Sequence, residues 1–127
     1  MRYLLDTHAI LWALDDDKRF SETAVRILRD SVNEKCISIA SAWEAAIKVG
    51  KGNLRLKRGV SRVFEAIRQN KVELLPITED QVKLLETLPF IHRDPFDRLL
   101  IATAQTEEMT LLTVDENIHK YDVAFAK

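Results

Sequence analysis

Short apolar runs alternate with segments of helical periodicity along this chain. Tyr3-Leu4-Leu5 is continuously apolar, as expected of a strand buried on both faces. Residues 7–14 read as a helix that ends at the acidic turn Asp15-Asp16-Asp17. Ser21 is placed to cap a second helix, with Ala24, Ile27, Leu28 and Val32 along one face. Residues 36–39 form a second predicted strand. Ser41 is placed to open a third helix over residues 42–51, ended by Gly50 and Gly52. Residues 60–69 are helical in pattern, with Val60, Val63, Phe64 and Ile67 as the apolar stripe. Residues 72–77 give a third strand. Thr78 and Gln81 have capping-box spacing, and Val82, Leu85 and Leu88 are the expected inward positions of that helix. Pro89 stops it. Asp94-Pro95 opens the next helix, with Leu99, Leu100, Thr103 and Ala104 on one side. Residues 110–114 give a fourth strand and residues 123–125 a fifth.

Strands separated by helices pair in parallel through right-handed crossovers. The predicted fold is therefore α/β, a three-layer α/β/α sandwich. Its central, mostly parallel sheet has about five short strands. Residues 1–127 are expected to form a single domain, a size at which a hydrophobic core suffices without disulfide or metal. With 46% hydrophobic and 31% charged residues, the chain is globular rather than disordered. A net charge of −1 removes any argument for nucleic-acid binding from overall charge alone.

The lone Cys36 cannot form an intrachain disulfide and reads as a small buried apolar residue. Asp6 and His8 interrupt the N-terminal apolar stretch, and no run approaches the ~18 apolar residues that cross a bilayer. The expected setting is cytoplasmic, with no membrane contact. Neither GxGxxG nor GxxxxGK[ST] occurs, so nucleotide folds of those types are not indicated.

The chemistry lies in four acids. Asp6 follows the first strand, Glu44 and Asp97 lie in first turns of predicted helices, and Asp115 follows the fourth strand. Each has a plain explanation as a helix cap, with Ser41-Ala42-Trp43-Glu44 and Asp94-Pro95-Phe96-Asp97 both fitting capping patterns. Together they point further. Strand ends and following helix starts share one edge of a parallel sheet, where ligands bind. Clustered carboxylates repel one another unless a cation joins them, and hard oxygen donors select Mg²⁺ or Mn²⁺. That is the layout of a metal-dependent phosphodiesterase. His8, His92 and His119 show no zinc spacing.

Three segments resemble the PIN domain, and more narrowly the toxin ribonucleases of VapBC-type toxin–antitoxin pairs. They are LLDTHAILWAL, SIASAWEAAIKVGKGNLRL and HRDPFDRLLIATAQTEEMTLLTVDENI, in the family's order and spacing over nearly the whole chain. The resemblance implies a Mg²⁺- or Mn²⁺-dependent endoribonuclease acting on RNA, a cognate antitoxin partner and a homodimer. By position, Asp6 and Asp97 match the family's best-established metal ligands. Glu44 and Asp115 complete the acidic quartet, all four serving as catalytic and metal-binding residues. Thr113 matches a supporting hydroxyl. Asp94 belongs to the HRDPFDR signature, where a capping role is favoured over ligation.

Lys48, Lys51, Arg55, Lys57, Arg58 and Arg62 follow one another with no acid between Ala45 and Phe64. Lys48, Lys51, Arg55 and Arg58, together with Arg93, are candidate RNA contacts. The same run also suits a solvated helix end or a seat for an acidic antitoxin segment. Arg98 is a candidate for phosphate contact or for steadying a neighbouring acid. Trp12, Trp43, Phe64 and Phe96 are expected in the core. Two other readings stay open: a phosphoryl-transfer α/β protein (phosphatase or receiver-like), and a non-catalytic interaction module whose acids are only caps. Against the first, the position two residues after Asp6 is His8 where a dehalogenase-type phosphatase has a second Asp.

Overall fold

Leu4, Leu5, Ile37 and Leu111 have no exposed surface, as their apolar runs require of strands covered on both faces. A computed structural model describes residues 1–7, 9, 22–91, 93–113 and 125–126. Its elements in chain order are β1 (Arg2–Leu5), α1 (Glu22–Arg29), β2 (Glu34–Ser38), α2 (Ile39–Gly50), α3 (Ser61–Gln69), β3 (Glu73–Leu75), α4 (Glu79–Thr87), α5 (Pro95–Thr106), β4 (Thr110–Leu112) and β5 (Phe125–Ala126). The predicted helix over 7–14, the cap Ser21, and Val114 and Val123 of the predicted strands lie wholly or largely outside the described residues.

The five strands form one sheet in the order β3-β2-β1-β4-β5, and every pairing is parallel. The chain builds outward from β1 through β2 to β3, then returns to the other side of β1 for β4. Strand order therefore reverses between β1 and β4, the place where ligands bind in open parallel sheets.

Alternation along the strands divides the core in two. Tyr3, Leu5, Ile37 and Leu112 face Ala24 and Ile27 of α1, Ala45 of α2, and Val63, Ala66 and Ile67 of α3. Leu4, Cys36, Leu75 and Leu111 pack with Leu88, Leu100, Ile101 and Ala104 on the other face. This is the α/β/α sandwich expected from the alternating pattern. Cys36 is buried, and its thiol lies 3.8 Å from Glu73 Oε2. Burial, reinforced by the Glu73 carboxylate, pushes its pKa up to about 11.

Several details differ from the sequence reading. Ile39 begins α2 instead of ending β2, so the helix starts earlier than Ala42 and its N-cap is Ser38, not Ser41. Val32 lies beyond α1 and is exposed. Val82 is also exposed, and Gln81 takes the inward position. The reason is the reciprocal capping box: Gln81 folds back to Thr78 N at 3.3 Å, while Thr78 Oγ1 accepts from Gln81 N at 3.3 Å. That phases the inner face on Gln81, Leu85 and Leu88. Gly52, just past α2, adopts φ +78°, a left-handed conformation that glycine takes without strain.

Candidate active site

Leu5, Ile37 and Leu112 lie side by side near the carboxyl ends of β1, β2 and β4, because Leu5 pairs with both Ile37 and Leu112. The next residues, Asp6, Ser38 and Thr113, therefore form a row on the carboxyl edge of the sheet. All three are buried. The Asp6 amide reaches Leu112 O at 3.4 Å, which holds Asp6 against β4. Its Oδ1 accepts from Ala9 N at 2.7 Å. Asp6 thus serves as a local cap and still stands at the switch between β1 and β4.

Glu44 reaches this edge because of where α2 begins. Ser38 Oγ accepts from Ala40 N at 3.1 Å, which places Glu44 beyond the capping position. Its carboxylate makes other contacts. Oε1 accepts from Thr7 Oγ1 at 2.5 Å, and Oε2 pairs with Lys48 Nζ at 3.3 Å. Glu44 is only 6% exposed. The capping-box explanation of Glu44 is therefore corrected: the acid is tied to the residue after Asp6, not to its own helix start. Ser41, displaced from its expected role as a cap, is buried, and its Oγ has no hydrogen-bond partner among the described residues. It lies one turn before Glu44, at a spacing that puts both on one helix face. A buried orphan hydroxyl calls for a bound water or ligand oxygen.

Asp97 occupies the first turn of α5 and is partly buried. Asp94 caps that helix, its Oδ1 accepting from Phe96 N at 2.8 Å and Asp97 N at 3.2 Å. Pro95 at the first helical position fits, since its missing N–H would have had no intrahelical acceptor. The turns that carry Glu44 and Asp97 meet through their preceding residues. The rings of Trp43 and Phe96 make an edge-to-face contact with centroids 5.0 Å apart. Trp43 is nevertheless 57% exposed, against the expectation of a core position, and Phe96 and Phe64 are half-buried.

Arg98 is buried, and its guanidinium donates to Pro89 O at 2.8 Å, Leu88 O at 3.1 Å and Leu85 O at 3.3 Å. It also stacks on Phe90, 4.0 Å from the ring centroid. These contacts clamp the end of α4 and the turn after it, a structural role the sequence reading did not include. Of the basic candidates, Lys48 pairs with Glu44, and Arg58 pairs with Glu65 at 2.6 Å. Lys51, Arg55 and Arg93 are exposed.

Among the described residues, no group of three or more His, Cys, Asp or Glu is gathered closely enough to hold a metal ion. Asp115 and the three histidines lie outside those residues. The donor chemistry still fits a hard cation: two buried carboxylates, Asp6 and Glu44, with the hydroxyls of Thr7 and Ser41 near them in the chain. Thr7 and Ser41 were missed as site residues. Thr7 was legible in principle, since it directly follows an acid at a strand end.

Buried carboxylates and hydroxyls at the strand-reversal edge define a class of parallel α/β proteins with an acidic site on the sheet's carboxyl edge. The model of the PIN domain matches residues 3–124, and the chain belongs to the PIN domain family. This membership displaces the phosphatase and receiver readings. VapBC2 from Rickettsia felis, solved bound to a promoter DNA fragment, superposes with a TM-score of 0.73 at 16% identity, covering 99% of this chain and 98% of that one. VapBC-1 from nontypeable Haemophilus influenzae gives a TM-score of 0.67 at 20% identity over 100% and 98%. The PIN domain endonuclease Utp24 gives 0.54 at 18% identity over 94% and 74%. At these identities the likeness is one of fold. No curated protein matches the chain. Among the described residues, no helix is long and apolar enough to cross a membrane.

Proposed function

We propose that this chain is the toxin of a VapBC-type pair, a metal-dependent endoribonuclease restrained by a cognate antitoxin. The observation that carries the reading is the burial of two carboxylates linked through neighbouring residues: Asp6 at the switch between β1 and β4, and Glu44, which accepts from Thr7, the residue after Asp6. Buried charges of one sign are retained where a cation joins them. Membership of the PIN family and the likeness in fold to VapBC toxins and to the endonuclease Utp24 support a nuclease over a set of mere caps.

Asp6, Glu44, Asp97 and Asp115 are the residues that would hold Mg²⁺ or Mn²⁺. The ion, when bound, would supply positive charge against the cleaved phosphate and favour deprotonation of an attacking water. Thr7 orients Glu44 through its hydroxyl, and Thr113, on the edge beside Asp6, supports the acids. Lys48 balances Glu44 until substrate arrives. Lys51, Arg55 and Arg93 neutralise RNA phosphates along the approach. The chain works as a homodimer in this reading.

Cleavage of RNA by the purified chain is the test. Activity is expected with Mg²⁺ or Mn²⁺, to vanish on exhaustive chelation with EDTA, and to return when either ion is restored. Undiminished cleavage in chelated buffer overturns the metal mechanism.

A further inference from the structure

Helix α2 is covered along almost its whole length. From Ile39 through Val49 every residue is buried or half-buried except Trp43, which is 57% exposed. An indole is an expensive side chain to leave in water, since it carries one of the largest apolar surfaces of any residue. Trp43 does not hang loose. Its ring meets Phe96 edge to face at 5.0 Å, with the planes at 78°. Phe96 is itself half-buried at the start of α5. The contact fixes the plane of the indole, and the residue's exposed area remains open to solvent.

The position is equally specific. Trp43 directly precedes Glu44 and Phe96 directly precedes Asp97, so the aromatic pair spans the two turns that carry these acids. Five residues beyond Trp43 on α2 stands Lys48, paired with Glu44, and beyond the helix come the exposed Lys51 and Arg55. A held aromatic face beside an acidic site, on a helix that runs into a cationic segment, matches the pattern used for single-stranded nucleic acid. There, cations track the backbone and aromatic faces stack the bases.

We propose that Trp43 is a base-stacking subsite for the RNA strand, receiving a nucleobase next to the scissile phosphate. This deepens the ribonuclease reading and rests on it for the identity of the ligand. Stacking accepts any base, so the subsite anchors and orients the strand without reading its sequence.

The test measures binding apart from cleavage. The probes are a short mixed-sequence oligoribonucleotide and its abasic counterpart, each titrated by fluorescence anisotropy in EDTA, where metal-dependent cleavage does not proceed. Wild type is expected to bind the base-bearing strand more tightly than the abasic one. Trp43→Ala should weaken binding of the base-bearing strand roughly tenfold. It should leave abasic binding unchanged. Trp43→Phe should restore most of the loss, because Phe keeps a stacking face. Circular dichroism and sedimentation should show Trp43→Ala folded and in the same oligomeric state as wild type. Equal affinity of wild type and Trp43→Ala for the base-bearing strand overturns the subsite. So does a loss shared equally by the abasic strand, or an altered oligomeric state with base-dependent binding intact, which assigns Trp43 to a protein contact. Cleavage of unmodified RNA in Mn²⁺ is scored separately. Base-dependent binding through Trp43 without cleavage removes the nuclease reading and keeps the subsite, whereas cleavage with base-independent binding does the reverse.

Discussion

Thr7 Oγ1 donates to Glu44 Oε1 at 2.5 Å, joining residues 37 positions apart in the chain. The bond links the residue after Asp6 to the second turn of α2, so the acid on the strand end and the acid on the helix are positioned as a unit. Glu44→Gln separates charge from shape. Gln keeps the oxygen that accepts from Thr7 and loses the ion pair with Lys48, a partly exposed contact worth about 0–1 kcal/mol. The melting temperature should change little. Cleavage should fall by more than ~100-fold, beyond the range that partners orienting a metal ligand control. Thr7→Val, which removes the orienting hydroxyl alone, should cost about 10–100-fold. Rate assays on folded protein check both, and a Glu44→Gln enzyme with wild-type rate removes Glu44 from the site.

Asp94 and Asp97 share one turn and divide its work. Asp94 accepts from two amides at the start of α5. Asn caps as well as Asp, so Asp94→Asn should melt close to wild type and keep most activity, while Asp94→Ala should lose about 1 kcal/mol of stability. Thermal denaturation reads the difference. Loss of cleavage in a stable Asp94→Asn protein would place Asp94 among the metal-binding acids.

The basic run is not uniform. Arg58 is engaged with Glu65, whereas Lys51 and Arg55 are exposed and have no ion pair among the described residues. Replacing Lys51 and Arg55 with Ala should weaken RNA binding and flatten the log–log salt dependence by roughly 0.7 for each phosphate no longer neutralised. Arg58→Ala should change it less. Binding isotherms at several salt concentrations give the slopes, and an unchanged slope for the double variant makes this segment a solvated surface.

Much of this was legible in the chain itself. Apolar runs such as Tyr3-Leu4-Leu5 have only one favourable fate, a strand covered on both faces, and strand–helix alternation then dictates parallel pairing. The caps at Thr78 and Asp94 were readable because their bonds are local. Ser38 and Ser41 were harder to separate. Both precede helix-compatible residues, and Ile39 suits a strand or a helix equally, so only packing of α2 decides where the helix begins. The same ambiguity gives Glu44 the spacing of a capping residue in the sequence, whereas a helix that begins at Ile39 carries it in the second turn. Trp43 and Val82 were placed inward on hydrophobicity, yet each lies on the outer side of its helix once the phase is set. Arg98 was hardest, because its partners are backbone carbonyls at the end of α4, and no side-chain pattern announces them.

Cys36 gives the fold a dependence on alkaline pH. Its folded pKa is about 11 against an ordinary 9.0. The folded protein therefore holds a thiol proton that the unfolded chain releases first. Stability from this group is complete below pH 9 and is lost as pH rises toward 11, by on the order of 1 kcal/mol per pH unit. Urea midpoints measured across that window should fall more steeply for wild type than for Cys36→Ala. Parallel slopes would show that the thiol does not contribute.

In the proposed mechanism the acids at the start of α5 and at the end of β1 bind a catalytic cation, and Asp97→Asn tests that binding. Asn matches Asp in shape, and losing the charge at a helix start costs only about 0.3–1 kcal/mol. The variant should remain folded with a small shift in melting temperature, as should Asp6→Asn. Titration calorimetry with Mn²⁺ and cleavage of RNA, both on folded protein, are the paired measurement. The account predicts weakened Mn²⁺ binding and cleavage lower by orders of magnitude. Near-wild-type cleavage and unchanged Mn²⁺ affinity in folded Asp97→Asn would contradict it.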